Sequence, residues 1–529
     1  MQKKLLAIAS TCAVLIVLGR VCGQSPRVEE VSQARILILP NETRGEISPF
    51  VFGSSIEWVD NGNGIFDPAR GVIRPEILDA LHPLRIPVFR FPGGILSDYY
   101  HWRDGVGPRA NRPRRRNPMD GSEYDNTFGT DEFIDFCRAL NAQPLITANF
   151  GTGTVEEAVA WQKYFAGHGL PARFWEIGNE IYMTEPAAHA SIAGNDERIY
   201  RSSQEYAAQF PDWARALHSS DAQARVGAIA GTTNANQKHR DWMQALTEKA
   251  ASQADFISLH NSFAPLIRGD YDFNDREHRS EAYRGMFAEA QFAGTDIRNV
   301  QREVGQVNPH ARIAITEHFP LFGFGGSKTQ LTRILDQSRT LAAALYTASL
   351  FHTYMREGVW MANYNLTTSK WFGALMTDGK SIVKTPTYWV FDLYRNHFGS
   401  QLVNVSADTP SFNSSAIGSV PAGKNIGYLD VIASKDQSGQ LYLAVINRAL
   451  SKTVPAIVRV DGIPDGASAS ALTLTAGAAN AINGEGLSSS TESSNIIPVA
   501  SDLQTGGTHP LSFAPHSITI IRWKLAGRP

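Results

Sequence analysis

Cysteine is scarce in this sequence, with only three in 529 residues. Cys12 and Cys22 lie in an N-terminal segment with the features of a removable leader, which leaves Cys137 alone and rules out a fold stapled by internal disulfides. Cys137 sits in the helical-looking apolar pattern Phe133 to Leu140 and reads as a packing residue rather than a nucleophile. Long hydrophobic runs are equally few. Leu5 to Leu18 is too short to cross about 30 Å of hydrocarbon at about 1.5 Å per residue, and no later segment is long and apolar enough. Charge of either sign is sparse too: 49 Lys and Arg stand against 51 Asp and Glu, a formal net charge of -2. That balance lacks the basic footprint of nucleic-acid binding. There is no His-Glu-x-x-His spacing, no Gly-x-Ser-x-Gly elbow and no complete Gly-x-x-x-x-Gly-Lys-Ser/Thr phosphate loop, so neither a metal nor a nucleotide cofactor is indicated.

What the sequence does contain begins with Lys3 and Lys4, the apolar stretch to Leu18 and small residues around Cys22 and Gly23. Residues 1–23 are therefore read as a signal peptide, and the chain is expected to be secreted or periplasmic with no membrane attachment once the signal is removed. An uncleaved membrane anchor is the alternative. From about residue 50 to residue 400, short β-like runs alternate with helical patterns. The runs are Val51 to Glu57, Val88 to Phe91, Leu145 to Phe150, Phe174 to Asn179, Val226 to Ala230, Phe256 to His260, Ile313 to Glu317 and Trp360 to Tyr364. Helical patterns include Thr154 to Tyr164, Glu205 to Leu217 and Leu331 to Met355. Alternation of this kind predicts a parallel α/β architecture, and eight is the number of units that closes a (β/α)8 TIM barrel. A doubly wound sheet competes, but its glycine loop is missing: Gly151 and Gly153 have no third glycine.

After Gly399 the composition turns to Ser, Ala, Gly, Thr and Val, with strand-like runs at Leu441 to Ile446, Ala456 to Val460 and Ser517 to Trp523. The expected domains are a segment 24–47, whose strand-like Ile36 to Leu39 joins a C-terminal β-sandwich, a catalytic barrel 48–399 and the sandwich itself at 400–529. Residues 466–508, rich in Ser, Ala and Gly, are expected to form a mobile loop or an irregular hairpin.

Two strand ends carry carboxylates. The fourth run leads into Gly178-Asn179-Glu180 and the seventh into Thr316-Glu317-His318. Active sites of such barrels lie at the C-terminal ends of the strands. Hydrolysis of a glycosidic bond needs two carboxylates across one bond, one to protonate the leaving oxygen and one to attack the anomeric carbon or activate water. Each glutamate alone is as well explained by the start of a solvated loop. Asn179 adds weight to Glu180, because an amide beside the acid can hydrogen-bond a neighbouring sugar hydroxyl. Glu176 is given a structural role.

Arg90-Phe91-Pro92-Gly93-Gly94, Trp102 to Pro108, Phe128 to Phe133, Asn149 to Gly153 and Gly178-Asn179-Glu180 occur in this order, followed by Thr385 to Phe391 and Leu441 to Arg448. In this ordered series the chain resembles glycoside hydrolase family 51, the α-L-arabinofuranosidases, within the clan of (β/α)8 retaining glycosidases. The resemblance implies Glu180 as acid/base and Glu317 as nucleophile. It puts Asn179 on the 2-hydroxyl, Glu57, Arg90 and His260 in the sugar subsite, and Trp102 as an apolar wall. The family usually has His after the first-strand glutamate, an aromatic after the sixth-strand His and Trp after the nucleophile; here Trp58, Asn261 and His318 stand there. These departures are expected against the sugar, where they bear on its identity.

The function so implied is an exported α-L-arabinofuranosidase acting on plant cell-wall polysaccharide or oligosaccharide, without a cofactor. The alternatives are a clan relative (glucuronidase, xylosidase or endoglycanase) and a non-catalytic carbohydrate-binding protein. The resemblance leaves a homo-oligomer open. The arginine run Arg109, Arg112, Arg114, Arg115 and Arg116 reads as a solvated basic loop, with binding of an acidic polysaccharide as its alternative.

Overall fold

A computed structural model of the chain describes residues 33–117, 121–182, 201–231, 237–263, 279–320, 328–487, 492–506 and 510–523. The predicted leader lies outside the described residues. Eight parallel strands form one closed ring: Gly53–Ser55, Val88–Phe91, Gln143–Ala148, Phe174–Ile177, Arg225–Ile229, Phe256–Leu259, Arg312–Phe319 and Met361–Tyr364. Each strand pairs with its neighbours in chain order. The sixth strand pairs with the seventh and the eighth with the first, which closes the barrel.

Helices cover the strands, as parallel sheets require. Their starts follow local capping chemistry: Thr154 accepts the Glu157 amide at the head of Val155–Gly167, and Ser202 with Glu205 forms a capping box for Ser203–Ser220. The helix expected over Leu331 to Met355 is two helices, Lys328–Gln337 and Leu341–Arg356. Thr340 separates them, because its hydroxyl caps the second through the Ala343 amide at 3.2 Å. The first strand is also shorter than expected, since Pro49–Phe52 forms a 3-10 turn before it.

The barrel interior is layered by the two-residue period of its strands. Val88, Leu145, Phe174, Phe256, Ala314 and Met361 form an apolar floor together with Trp360. Two residues further along each of these strands stand Arg90, Thr147, Glu176, Ser258, Thr316 and Asn363, all buried. One step up the barrel therefore changes the interior from apolar to polar, and this polar layer is the base of the mouth.

The N-terminal strand Ala34–Glu46 pairs antiparallel with Gln401–Asp408 and parallel with Val454–Val460, inside a nine-stranded C-terminal sheet. Strand Leu441–Asn447 shows how that sheet uses both faces. Leu441, Leu443 and Val445 enter the sheet's own core with Ile36, Val458 and Trp523, while Ala444 and Ile446 join the barrel core. The region 466–508 departs from expectation. Ala467–Leu474 and Val499–Thr505 are paired strands of the same sheet. Ala469 and Ala471 point into the core at alternate positions, a period that the Ser and Ala content conceals.

Candidate active site

Arg90 is the centre of the mouth. It is completely buried, and its Nε and Nη2 both lie 2.8 Å from Glu176 Oε2. Nη2 donates to Asn179 Oδ1 at 2.6 Å, and Nη1 reaches Glu317 Oε2 at 3.1 Å. One guanidinium thus orients three side chains from the fourth and seventh strands, a task suited to its planar set of donors. Glu176 points into the barrel, where Thr147, Ser258 and Thr316 also donate to it. Burial alone would push its carboxyl up, but Arg90, His260 and Ser258 outweigh burial and hold it well below the ordinary range.

Asn365, just past the eighth strand, donates Nδ2 to the other oxygen of Glu317 at 3.0 Å. Both oxygens of Glu317 are therefore held. Burial pushes the Glu317 carboxyl up, as do Glu180 and Glu176, against His260 and Arg90. His260 lies between the two candidate catalytic carboxylates: Nδ1 is 2.9 Å from Glu180 Oε1 and 4.0 Å from Glu317 Oε2. Those two oxygens are separated by no more than the sum of these distances, short of most of the roughly 6.5 to 9.5 Å range of inverting pairs. Nε2 of the ring is 2.9 Å from Thr316 Oγ1. Burial disfavours the imidazolium, yet Glu176, Glu180 and Glu317 raise His260 to about 9.

The turn that carries Glu180 is shaped by its backbone. Gly178 has φ 81° and Glu180 φ 43°, both left-handed. Asp98 fastens this turn, accepting from the amides of Asn179 at 2.8 Å, Phe150 at 3.1 Å and Gly151 at 3.2 Å. Burial pushes the Asp98 carboxyl up to about 7, against those three amides. Glu57 is half-buried beside Gly94, where a Cβ would stand only 2.6 Å from Oε1 and where φ of 67° favours glycine. Burial raises Glu57 to about 7, opposed by the hydrogen bond from Asn63 and by Arg90 and reinforced by Glu317.

The structure thus brings Glu57, Arg90, Asn179, Glu180, His260 and Glu317 together. Trp102 goes elsewhere. Its ring lies parallel to Trp161 at 6.4 Å and against Tyr164 at 4.9 Å, its indole N–H donates to Glu157 O at 3.1 Å, and Arg103 covers it. Trp161, Tyr164 and Glu157 all belong to the helix Val155–Gly167.

Two of the three departures from the family pattern also point away from the mouth. Asn261 donates to Asp296 on the helix Arg279–Gly305 at 2.8 Å. His318 is buried among Phe351, Tyr354 and Tyr364, and burial lowers it to about 3. The reason is alternation along a strand: each follows a residue that faces the mouth. The seventh strand adds a register slip between Ile315 and His318, which allows Thr316 and Glu317 both to reach the interior. Trp58 packs into the core against Tyr100 at 4.7 Å and Tyr124 at 5.4 Å.

The arginine run is a solvated loop with one buried anchor: Arg109, Arg114, Arg115 and Arg116 are exposed, and only the Arg112 side chain is buried. Arg112 forks onto Glu132 at 2.8 and 3.0 Å, Arg109 reaches the same carboxylate at 3.1 Å, and Arg115 takes both oxygens of Asp104 at 2.7 and 3.0 Å. Arg109 and Arg112 thus clamp the loop to the head of the helix Thr130–Leu140. Asn365, Asp98 and Asn63 were missed in the sequence. Asn365 alone carried a signal, its place at the end of the eighth strand.

Two carboxylates meeting across an imidazole at the C-terminal mouth of a (β/α)8 barrel meet the needs of glycosidic-bond hydrolysis, so the fold and site define a glycoside hydrolase. Residues 80–264 match the family described as Alpha-L-arabinofuranosidase 1 domain, and residues 324–517 match the Alpha-L-arabinofuranosidase C-terminal domain. The chain belongs to the α-L-arabinofuranosidase family, glycoside hydrolase family 51. It is similar to the probable alpha-L-arabinofuranosidase C of Aspergillus clavatus, with 24% identity over 94% of this chain and 99% of the relative. It is 25% identical to an intracellular exo-alpha-L-arabinofuranosidase of Bacteroides ovatus over 78% of this chain and 79% of the relative. The crystal structure of the Thermotoga maritima alpha-L-arabinofuranosidase in its arabinose complex shares the fold, with a TM-score of 0.76 at 24% identity over 93% of this chain and all of that one.

Proposed function

We propose that this enzyme removes terminal α-L-arabinofuranosyl groups from plant cell-wall polysaccharide outside the cell that makes it, with retention at the anomeric carbon. Glu317 attacks the anomeric carbon while the Glu180–His260 pair delivers a proton to the departing glycosidic oxygen. The glycosyl ester on Glu317 is then hydrolysed by water, which returns a proton to Glu180. The single observation carrying this reading is the placement of His260 Nδ1, 2.9 Å from Glu180 and 4.0 Å from Glu317. Raised to about 9, the imidazole keeps a proton on that pair at neutral pH. Arg90 and Asn365 hold the two oxygens of Glu317 and limit its rotation before attack. The buried Asn179 amide nitrogen has no partner among the described residues and is assigned to a sugar hydroxyl, with Glu57 and Arg90 bordering the same subsite.

A panel of chromogenic glycosides tests the sugar. Turnover of an aryl α-L-arabinofuranoside is expected, and turnover of a glucuronide or β-xyloside with none of the arabinofuranoside overturns the assignment. Roles are tested by rescue. Glu180→Ala should spare activated aryl substrates and respond to azide, whereas equal losses on every leaving group without rescue refute the acid/base role. Export rests on the leader features at residues 1–23. Since the Bacteroides relative is named as intracellular, the deciding measurement is the N-terminus of protein recovered from the native host: Gln24 supports export, and an intact Met1 overturns it.

A further inference from the structure

Seven large apolar side chains are conspicuously exposed among the described residues, and one of them is aromatic: Trp371, at 44%. It sits on the loop that leaves the eighth strand, six residues beyond Asn365, whose amide holds Glu317. The loop is well fastened. Ser369 Oγ accepts the amides of Trp371 at 3.0 Å and Phe372 at 3.3 Å, and the Lys370 ammonium lies 5.3 Å from the indole centre. Lys370 is in turn paired at 3.0 Å with Asp60, on the loop that carries Glu57.

A line of rings runs from the catalytic centre toward the loop that carries this indole. His260 meets Phe263 edge to face at 6.5 Å, Phe263 meets Phe319 at 5.5 Å, and Phe319 stacks on Phe372 at 5.1 Å and 17°. Phe372 is the immediate neighbour of Trp371. The line therefore starts at the ring touching Glu180, the candidate proton donor, and ends at Phe372, the residue next to the exposed indole. The loop is fastened before anything docks on it, so an occupant of the indole face orders little that was free. The C–H face of a sugar ring suits the electron-rich face of an indole.

Resting on the arabinofuranosidase reading above, we infer that Trp371 is the platform for the leaving part of the substrate, stacking a pyranose ring of the polysaccharide backbone from which the arabinofuranosyl group is cut. It is a specificity residue, remote from the bond that breaks.

The test compares Trp371→Ala and Trp371→Phe with the wild type on two probes: an arabinofuranosyl-substituted xylobiose, which fills both sides of the scissile bond, and free L-arabinose as inhibitor, which fills only the sugar pocket. Loss of one stacked ring corresponds to about a tenfold effect. Trp371→Ala should lower kcat/KM on the trisaccharide about tenfold, mainly through KM, leave the arabinose inhibition constant within about twofold, and be partly restored by Trp371→Phe. Unchanged trisaccharide kinetics overturn the inference, and so does an equal loss in arabinose affinity. A wild-type enzyme that ignores the trisaccharide but cleaves another glycoside overturns the furanoside reading instead. The same variants assayed on long and short forms of that glycoside then decide the platform by the same criteria.

Discussion

Two buried charge clusters in this molecule use the same residue types to opposite ends. Where the barrel meets the C-terminal sheet, Asp430 is paired with Arg356 and Arg448, and His352 Nδ1 lies 3.2 Å away. Burial would push the Asp430 carboxyl up, but the two guanidiniums outweigh it and hold it far below its ordinary value. At the mouth the ratio is reversed: Arg90 and His260 face Glu176, Glu180 and Glu317, and Arg90 also lies within the field of Glu57. Glu176, which takes the closest bonds, is held low, while Glu57 and Glu317 are left raised. A carboxylate with surplus cations is a permanent tie between two layers. Carboxylates that share too few cations keep protons that chemistry can move.

The comparison breaks most visibly at the nucleophile. Glu317→Ala should reduce kcat on an aryl α-L-arabinofuranoside by about 10⁴-fold or more, with no covalent adduct from a mechanism-based inhibitor by mass spectrometry. Its unfolding midpoint should stay near that of the wild type, since the mouth has carboxylates in excess. In the other cluster the reverse is expected. Asp430→Asn strands the buried Arg448 guanidinium and weakens the hold on the partly exposed Arg356, and should cost about 3 kcal/mol in urea unfolding at pH 7, with kcat little changed. Because the folded-state carboxyl is depressed, its contribution is present above the unfolded value and lost as pH falls, so the gap between variant and wild type should narrow below about pH 4.

Glu57 sharpens the contrast through the opposite sign. Its folded value is raised to about 7, so its contribution is complete below the unfolded value and declines as pH rises toward neutrality. Glu57→Gln should remove that decline, gaining about 3 kcal/mol on the wild type between pH 4.5 and 7.5, while kcat/KM falls about tenfold to a hundredfold through a lost sugar contact. An unfolding profile with no such difference would leave Glu57 outside the charge-deficient set. The smallest effect belongs to His318, whose two ring nitrogens find no hydrogen-bond partner among the described residues. His318→Phe should leave kcat/KM within about twofold and stability unchanged or raised by about 1 kcal/mol; a tenfold loss of kcat/KM would return His318 to the site.

Much of this was legible from the residues alone, because strand and helix periods mark a barrel whatever its sequence. The strand-end rule pointed to Glu180 and Glu317 without knowledge of their partners. The failures share a cause. Asn261 and His318 lie one residue beyond mouth-facing positions, and a single step along a strand turns a side chain from the mouth to the helices. Trp102 follows a turn whose direction no periodicity announces, and it stacks on Trp161. Asp98 was invisible because its role is to bind the backbone of Asn179, Phe150 and Gly151, and backbone amides leave no mark on composition. The arginine run is the solvated loop its charge suggested, but its anchoring to Glu132 and Asp104, outside that run, left no local mark.

The strand Ala34–Glu46 has a consequence in time. It is made early in synthesis, yet its hydrogen-bonding partners, Gln401–Asp408 and Val454–Val460, are made only after the whole barrel. At about 5 to 20 residues per second, the interval before the first partner exists is roughly 20 to 70 s. Throughout it Ala34, Ile36 and Ile38 form an alternating apolar edge with nothing beside it, the kind of segment that pairs with neighbouring chains. The nascent molecule therefore depends on whatever shields that edge, and strands synthesised only after the barrel retire the hazard created by the first.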